Sequence, residues 1–103
     1  MALERHDHDA VVRPSGELDA DAAPQLERAL GAVQAPGRRV VLDLRELRSG
    51  EEAGLRAIVV ALDRADRLGA ELRVIPGDVA HRMFDEAGLS ERLASVTIEA
   101  EDA

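Results

Sequence analysis

The stretch Asp43-Leu44-Arg45-Glu46-Leu47-Arg48-Ser49-Gly50-Glu51-Glu52-Ala53-Gly54-Leu55 decides the fold, because a buried strand leads through an acidic turn into an apolar helix. Just before it, Val40-Val41-Leu42 is an apolar run flanked by charged residues. Such a run is typical of a central parallel strand that is buried on both faces. Strand-to-helix turns are where α/β proteins place functional residues, so this turn is the first candidate site.

Helical periodicity predicts three longer helices, near residues 21–34, 52–68 and 78–87, and a further turn within 89–93. Asp21 and Asp78 are the predicted N-caps of the first and third helices, and Gly88 is the predicted C′ residue of the third. The residues predicted to face the sheet are Leu26, Leu30, Val33, Leu55, Ile58, Val59, Leu62, Ala65, Val79, Met83, Phe84 and Ala87.

Strands are predicted at residues 2–5, 10–13, 39–44, 72–75 and 95–98, the first two forming a hairpin with the turn His6-Asp7-His8-Asp9. Strands that alternate with helices indicate right-handed crossovers and parallel pairing. We therefore predict one α/β domain over residues 1–98, with a mixed, mostly parallel sheet of four to five strands and about four helices. The acidic tail 99–103 is predicted to be frayed.

Composition and charge narrow the classes of function. The chain has 103 residues, enough for one domain, and a net charge of −8, which argues against nucleic acid and anionic membranes as partners. Phe84 is the only aromatic residue, so stacking on bases is unavailable. There is no cysteine, signal peptide or membrane span. We therefore expect a soluble, cytoplasmic protein.

The sequence contains no recognised enzyme motif, such as Gly-x-Ser-x-Gly or a Walker loop. Glu51 and Glu52 are adjacent, so a helix directs them about 100° apart and they cannot converge as an acid/base pair. His6 and His8, with Asp7 and Asp9, suggest a metal site, but a solvated hairpin turn explains the same pattern. We predict that the protein is not an enzyme and carries no cofactor.

Taken with Gly16-Glu17-Leu18-Asp19 upstream and Phe84-Asp85-Glu86-Ala87-Gly88-Leu89 downstream, the strand-to-helix stretch resembles the STAS family. This domain is shared by bacterial anti-sigma factor antagonists and the tails of sulfate transporters, and the resemblance covers about residues 10–96. Family members that are switched by phosphorylation carry Asp-Ser-Ser/Thr-Gly-Leu at this turn. Aligned on Gly54-Leu55, the chain has Glu52 at the position of the phosphoacceptor.

The resemblance implies an anti-sigma factor antagonist, whose partner is an anti-sigma factor, often a histidine-kinase-like ATPase. It places the partner-binding surface at Asp19, Glu51, Glu52, Ala53, Gly54, Leu55 and Arg56, with Asp63 further along the same helix. No phosphorylation is expected at the family position, and Ser49 is the nearest remaining hydroxyl. Other readings are a regulatory or scaffold subunit of a larger complex, such as a stressosome or a transport ATPase, and a small-ligand or nucleotide sensor. A homodimer is also possible.

Two purely structural readings of the acidic residues stay open at this point. Ser49 and Glu52 have the spacing of a capping box, with Ser49 at N-cap and Glu52 at N3. Asp19 could serve only as a loop or N-cap carboxylate for the first helix. In the functional reading, both belong to an acidic patch, predicted to consist of Glu17, Asp19, Glu46, Glu51 and Glu52. Such a patch suits a partner that presents arginine.

Overall fold

The computed structural model describes residues 1–5 and 9–100. Its elements, in chain order, are β1 (Ala2–Arg5), β2 (Asp9–Arg13), β3 (Gly16–Leu18), α1 (Ala23–Val33), β4 (Arg39–Asp43), β5 (Leu47–Gly50), α2 (Glu52–Leu68), β6 (Glu71–Ile75), α3 (Gly77–Glu86) and α4 (Ser90–Ala94). The predicted helices are confirmed, and α2 begins and ends at the predicted residues.

The main sheet has four strands in the order β1, β2, β4, β6. β1 is antiparallel to β2, whereas β4 is parallel to both of its neighbours, β2 and β6. Because β4 is paired on both sides, Val40, Val41 and Leu42 are at most 2% exposed. The prediction of an α/β domain with a mixed, mostly parallel sheet and a central β4 is confirmed.

A second, two-stranded sheet pairs β3 with β5 in parallel, and sequence analysis missed it. The sequence predicts a turn at residues 47–50, because Leu47 is the only large apolar residue among them. Their extended conformation comes from pairing with a distant segment, in which Glu17 lies opposite Ser49 and Leu18 opposite Gly50. The turn between β4 and α2 is therefore shorter than predicted, and it is held against β3.

Helix α1 begins at Ala23, so the prediction that Asp21 caps it was wrong. No side chain caps α1, but Asp19 orders the loop before it, where its Oδ1 accepts hydrogen bonds from the amides of Asp21 (3.1 Å) and Ala22 (2.9 Å). The interpretation of Asp19 as a loop carboxylate therefore accounts for its Oδ1. The predicted stripe on α1 is confirmed, since Leu26, Leu30 and Val33 are buried.

Helix α3 begins at Gly77, so Asp78 lies in its first turn and is not the predicted N-cap. Its end was predicted correctly. Gly88 has a φ of +74°, and the amide of Leu89 donates to the carbonyl of Phe84 at 2.7 Å, which is the bond of a Schellman motif. This motif turns the chain directly into α4.

After α4, the chain returns to the edge of the main sheet. The strand predicted at 95–98 is reduced to a single bridge between Thr97 and Val74, flanked by two backbone hydrogen bonds of 2.9 Å. The hairpin of β1 and β2 is confirmed, but most of its turn, with His6 and His8, lies outside the described residues, as does most of the predicted frayed tail. In the described part of the chain, no helix is long and apolar enough to span a bilayer.

The two faces of the main sheet differ in character. One face is apolar and joins α1 and α2 in a core whose buried members include Ala10, Val12, Leu26, Leu30, Val40, Leu42, Ile58, Leu62, Leu72 and Val74. The alternate residues of the same strands mix charged side chains with Val11, Val41 and Ile75, and the carboxylate of Asp43 is buried among them. It accepts hydrogen bonds from Arg45 Nη2 (2.7 Å) and from Arg13 Nε (3.1 Å). These bonds tie β2 to β4 and to the start of the acidic turn.

We expect the Asp43 contacts to give a measurable acid dependence of stability. Hydrogen bonds from Arg45, then from Arg13, lower the pKa of Asp43 from 3.8 to about 2, although burial opposes them. A carboxyl whose pKa is lower in the folded state stabilises the fold above its unfolded pKa and loses that contribution as pH falls. Urea unfolding should therefore show about 1 to 2 kcal/mol lost between about pH 4 and pH 2, with allowance for solvent screening.

The matched variant for this titration is Asp43→Asn, which keeps the shape of the side chain but cannot titrate. The variant should be less stable than the wild type at pH 7, and the difference should shrink as the pH falls towards the folded-state pKa of Asp43, about 2, where this carboxyl becomes protonated. A constant difference across this range would show that Asp43 does not carry the acid dependence.

Candidate functional site

The start of α2 is anchored to the end of β3. Glu51 occupies the N-cap position, and its amide donates to the carbonyl of Leu18 at 3.0 Å. The carbonyl of Glu51 in turn accepts from the amides of Gly54 and Leu55 at 3.0 and 3.1 Å. Two segments that are distant in sequence, Leu18–Asp19 and Glu51–Glu52, therefore meet at one end of the molecule.

The capping-box reading of this turn was wrong. Ser49 lies within β5, held extended by its pairing with β3, and Glu52 is the first residue of α2 and not its third. No side chain donates or accepts a capping hydrogen bond at this end of the helix. The carboxylate of Glu52 is therefore not bound back to the backbone, and it is 84% exposed.

Glu52 has one charged contact within its own helix. Its Oε1 accepts from Arg56 Nη2 at 2.9 Å, an i, i+4 pair in which the arginine side chain is 67% exposed. Such exposed pairs contribute about 0.3 to 0.5 kcal/mol, so Arg56 can leave Glu52 for a partner at little cost. A negative charge in the first turn of a helix is also favoured by the free amides and the macrodipole.

Gly54 sets how closely α2 approaches β3. It is buried, and a Cβ at this position would lie 2.8 Å from the carbonyl oxygen of Leu18 and 2.7 Å from its Cδ2. No residue with a side chain fits this contact unless one of the two backbones moves. Gly54 therefore contributes to the predicted surface only indirectly, because its close packing positions Glu51 and Glu52. Its neighbour Ala53 is half-buried.

The predicted acidic patch is divided between two places. Glu17, Asp19 and Glu46 line one pocket, together with Arg48, whose Nη2 donates to Glu17 Oε2 at 3.1 Å. Glu51 and Glu52 line a separate groove on the other side of the turn. In the described part of the chain, no group of acidic and histidine side chains has an arrangement that could hold a metal ion.

The groove lies between α2 and α3 and has a volume of about 500 Å³. Its apolar walls are formed by Leu55, Val59, Met83, Ala87 and Leu89. The helical periodicity predicts that Leu55, Val59, Met83 and Ala87 face the sheet. In the structure, Leu55, Val59 and Met83 are half-buried and Ala87 is exposed. The sequence feature that could have indicated the groove is the wide apolar face of α2, which is broader than the sheet can cover.

Asp63, predicted to lie on the exposed binding face of α2, is already engaged inside the domain. Its Oδ1 accepts from Arg92 Nη2 at 2.9 Å, and the same guanidinium lies 3.6 Å from Asp66 Oδ2. This contact joins α2 to α4, so Asp63 is not free for a partner unless the ion pair opens. Arg56 remains exposed, as predicted.

The fold and the anchored turn define the class of the protein. The family described as "Mlab, STAS domain" matches residues 1–97, and the chain belongs to this STAS family. No curated protein sequence shows detectable similarity to the chain.

Solved structures include close neighbours of the fold. An anti-sigma factor antagonist from Mycobacterium paratuberculosis is 30% identical, with a TM-score of 0.74, and the match covers 88% of this chain and 79% of that chain. A putative anti-sigma factor antagonist from Thermotoga maritima has a TM-score of 0.77 at 17% identity, covering 98% and 88% of the two chains.

The same fold occurs in proteins of other kinds. A sulfate transporter family protein from Wolinella succinogenes has a TM-score of 0.73 at 15% identity, and the match covers 87% of this chain and 75% of that chain. A much longer chain, Mglu, also contains the fold, and the match covers only 18% of its length. At these identities the likeness is one of fold, which different proteins use for different purposes.

Proposed function

We propose that the chain is a protein-interaction module that binds an anti-sigma factor through the start of α2, and so acts in bacterial transcriptional signalling in the cytoplasm. The observation that carries this proposal is the carboxylate of Glu52, which is 84% exposed in the first turn of α2. The resemblance to phosphorylated STAS proteins puts the phosphoacceptor at this residue. The proposed contact surface consists of Asp19, Glu51, Glu52, Ala53, Gly54, Leu55 and Arg56.

Glu52 supplies a fixed charge at a place where relatives carry a reversible one. A glutamate contributes about −1, whereas a phosphoserine contributes about −1.5 to −2 and three acceptor oxygens. The ion pair with Arg56 reduces the field of Glu52 further. We therefore regard Glu52 as a weak and permanent substitute for the phosphorylated state.

Two consequences of a permanent charge fit the proposal. Phosphorylation lowers the affinity of family members for the anti-sigma factor, so Glu52 can hold this protein in a weak-binding state. Alternatively, its anti-sigma factor accepts the charge and cannot be regulated by a kinase acting on this protein. Both consequences share one interaction surface and differ only in the strength of the complex.

The second candidate function is a STAS subunit of a larger complex, such as a scaffold or a transport ATPase. The groove between α2 and α3 favours it, because its apolar walls are left uncovered in the single chain. A scaffold should self-associate, so the mass of the purified protein in solution separates this candidate from a module that acts as a monomer. A homodimer would also be detected by that measurement.

The experiment that tests the first proposal uses the anti-sigma factors of the native host, measured one by one for binding by calorimetry. One of them should bind the wild-type chain, and Arg56→Glu should weaken that complex at least tenfold by reversing a charge inside the contact surface. Arg28→Glu is the matched control, because Arg28 is an exposed arginine on α1 that does not belong to the proposed contact surface. Equal loss in both variants, or no binding by any anti-sigma factor, would contradict the proposal.

If the bound anti-sigma factor is a kinase, we expect no phosphate to be transferred to the turn. Glu52 and Ala53 have no hydroxyl, and Ser49 is held in the extended strand β5, before the helix that carries the family position. The measurement is incorporation of labelled phosphate from ATP, with Glu52→Ser as the variant that should regain labelling. Labelled Ser49 in the wild type would show that the acceptor has moved.

A further inference from the structure

The groove between α2 and α3 has the dimensions of a helix-binding site. Its α2 wall runs from Glu52 to Val59, which is about two turns or 10 Å of helix. Leu55 and Val59 are one turn apart on this wall, and Met83 lies opposite them on α3. A helix that lies in such a groove inserts apolar side chains at i, i+3 or i+4, and i+7, which this length accommodates.

Met83 gives the groove an adaptable floor, because Gly50 leaves room for it. A Cβ on residue 50 would lie 2.8 Å from Met83 Cε, so the methionine occupies the space that a side chain on β5 would fill. Met83 is half-buried and packs against the edge of the core. Methionine has three flexible torsions and a polarisable sulfur, and it is common at surfaces that accept partner side chains.

The rim of the groove is acidic. Glu51, Glu52 and Glu86 line it, against the single cation Arg56, which is paired with Glu52. Glu51 and Glu86 are exposed and form no ion pair within residues 1–5 and 9–100. The local balance is therefore negative, in a protein whose net charge is already −8. A second acidic helix would be repelled, and a basic one attracted.

We propose that this groove binds an amphipathic helical segment of the protein partner, with an apolar face flanked by arginine or lysine. The proposal rests on the proposed function, since the groove begins at the turn that carries Glu52 and forms one surface with it. The apolar walls give affinity, and the acidic rim fixes which helices are accepted. Arg56 can exchange Glu52 for a partner carboxylate, while Glu51 and Glu86 receive the basic residues of the helix.

The experiment uses two synthetic helical peptides with the same leucines at i, i+4 and i+7, one flanked by arginine and the other by glutamate. Binding to the full chain is followed by fluorescence anisotropy, and the site by NMR shifts of the ¹⁵N-labelled protein. The arginine peptide should bind and shift the amides of Leu55, Val59 and Met83. The glutamate peptide should bind at least tenfold more weakly.

Val59→Ser should weaken the arginine peptide about fivefold, because it removes apolar surface from the groove wall. Val60→Ser is the matched control on the next residue of α2, where Val60 is 37% exposed and does not line the groove. The control should leave peptide binding unchanged, and urea unfolding of both variants confirms that the fold is kept. Equal binding of both peptides, equal effects of both variants, or shifts elsewhere on the protein would overturn the inference.

The same variants separate this inference from the proposed function. If an anti-sigma factor binds the wild type and Val59→Ser equally well, the groove inference is overturned and the proposed function stands. If no anti-sigma factor binds but the arginine peptide occupies the groove, the proposed function is overturned and the groove serves another basic partner. A dimer that forms in sedimentation experiments and is dissociated by Val59→Ser would overturn the inference, because a second copy would then fill the groove.

Discussion

Replacing Phe84 by alanine should lower the free energy of unfolding by about 3 to 5 kcal/mol. Phe84 is the only aromatic residue of the chain and is completely buried on α3, within the main core. Its carbonyl also accepts the hydrogen bond that closes the Schellman motif at the end of the helix. Removing the ring would therefore leave a cavity next to the turn that leads to α4. A domain of this size is stable by about 5 to 15 kcal/mol, so the variant should lose a large share of its stability.

Urea unfolding monitored by circular dichroism measures this effect, and Val60→Ala is the control. Val60 lies on α2 and is 37% exposed, so its truncation should change stability by less than about 0.5 kcal/mol. A loss of less than about 1 kcal/mol for Phe84→Ala would contradict the packing described for α3.

Gly54→Ala should destabilise the protein by about 2 to 3 kcal/mol, although alanine is the better helix former. A Cβ at this position meets the carbonyl oxygen of Leu18 at 2.8 Å, so the start of α2 and the end of β3 must separate. That separation strains the bond from the Glu51 amide to Leu18 and moves Glu52 relative to Asp19. We therefore expect partner binding to weaken together with stability.

Gly31→Ala is the opposite case and serves as the control. Gly31 lies within α1, and a Cβ there meets only the end of the Arg64 side chain, at 3.6 Å. Alanine should then stabilise the helix by about 0.5 to 1 kcal/mol. Both variants are compared by urea unfolding at pH 7. Stabilisation in both would show that α2 does not pack on β3 as closely as described.

The main sheet and the helices could be predicted from the sequence because their signals are local. Val40-Val41-Leu42 marks a strand buried on both faces, and the apolar spacing of α1 and α2 marks helices that lie on one face of a sheet. The pairing of β3 with β5 has no local signal, because Leu47–Gly50 is extended only through its contact with Gly16–Leu18, which is distant in sequence. The N-cap of α1 was misplaced for a different reason, because Asp19 binds the amides of Asp21 and Ala22 and so holds Asp21 in the loop before the helix.

The turn that carries the candidate site was found from the sequence, but its geometry was not. Pairing of β5 with β3 holds Ser49 away from the N-cap, which excludes the capping box and leaves Glu52 exposed. The groove was missed because periodicity assigns Leu55, Val59 and Met83 to the inner face of their helices. Whether the protein covers these side chains depends on the distance between α2 and α3. The spacing of apolar residues along one helix carries no information about that distance.

The most direct test of the proposed function is the affinity of Glu52→Ser for the anti-sigma factor that binds the wild type. If the charge of Glu52 opposes binding as a phosphate would, calorimetry should show an affinity higher by about 1 to 3 kcal/mol. Urea unfolding should show a change of no more than about 0.5 kcal/mol, since only the exposed pair with Arg56 is lost. Glu27→Ser on α1, also exposed, should change neither quantity. Unchanged affinity in Glu52→Ser, with the complex still formed, would leave only an anti-sigma factor that accepts the charge, and it would contradict the interpretation of Glu52 as a substitute for the phosphorylated state.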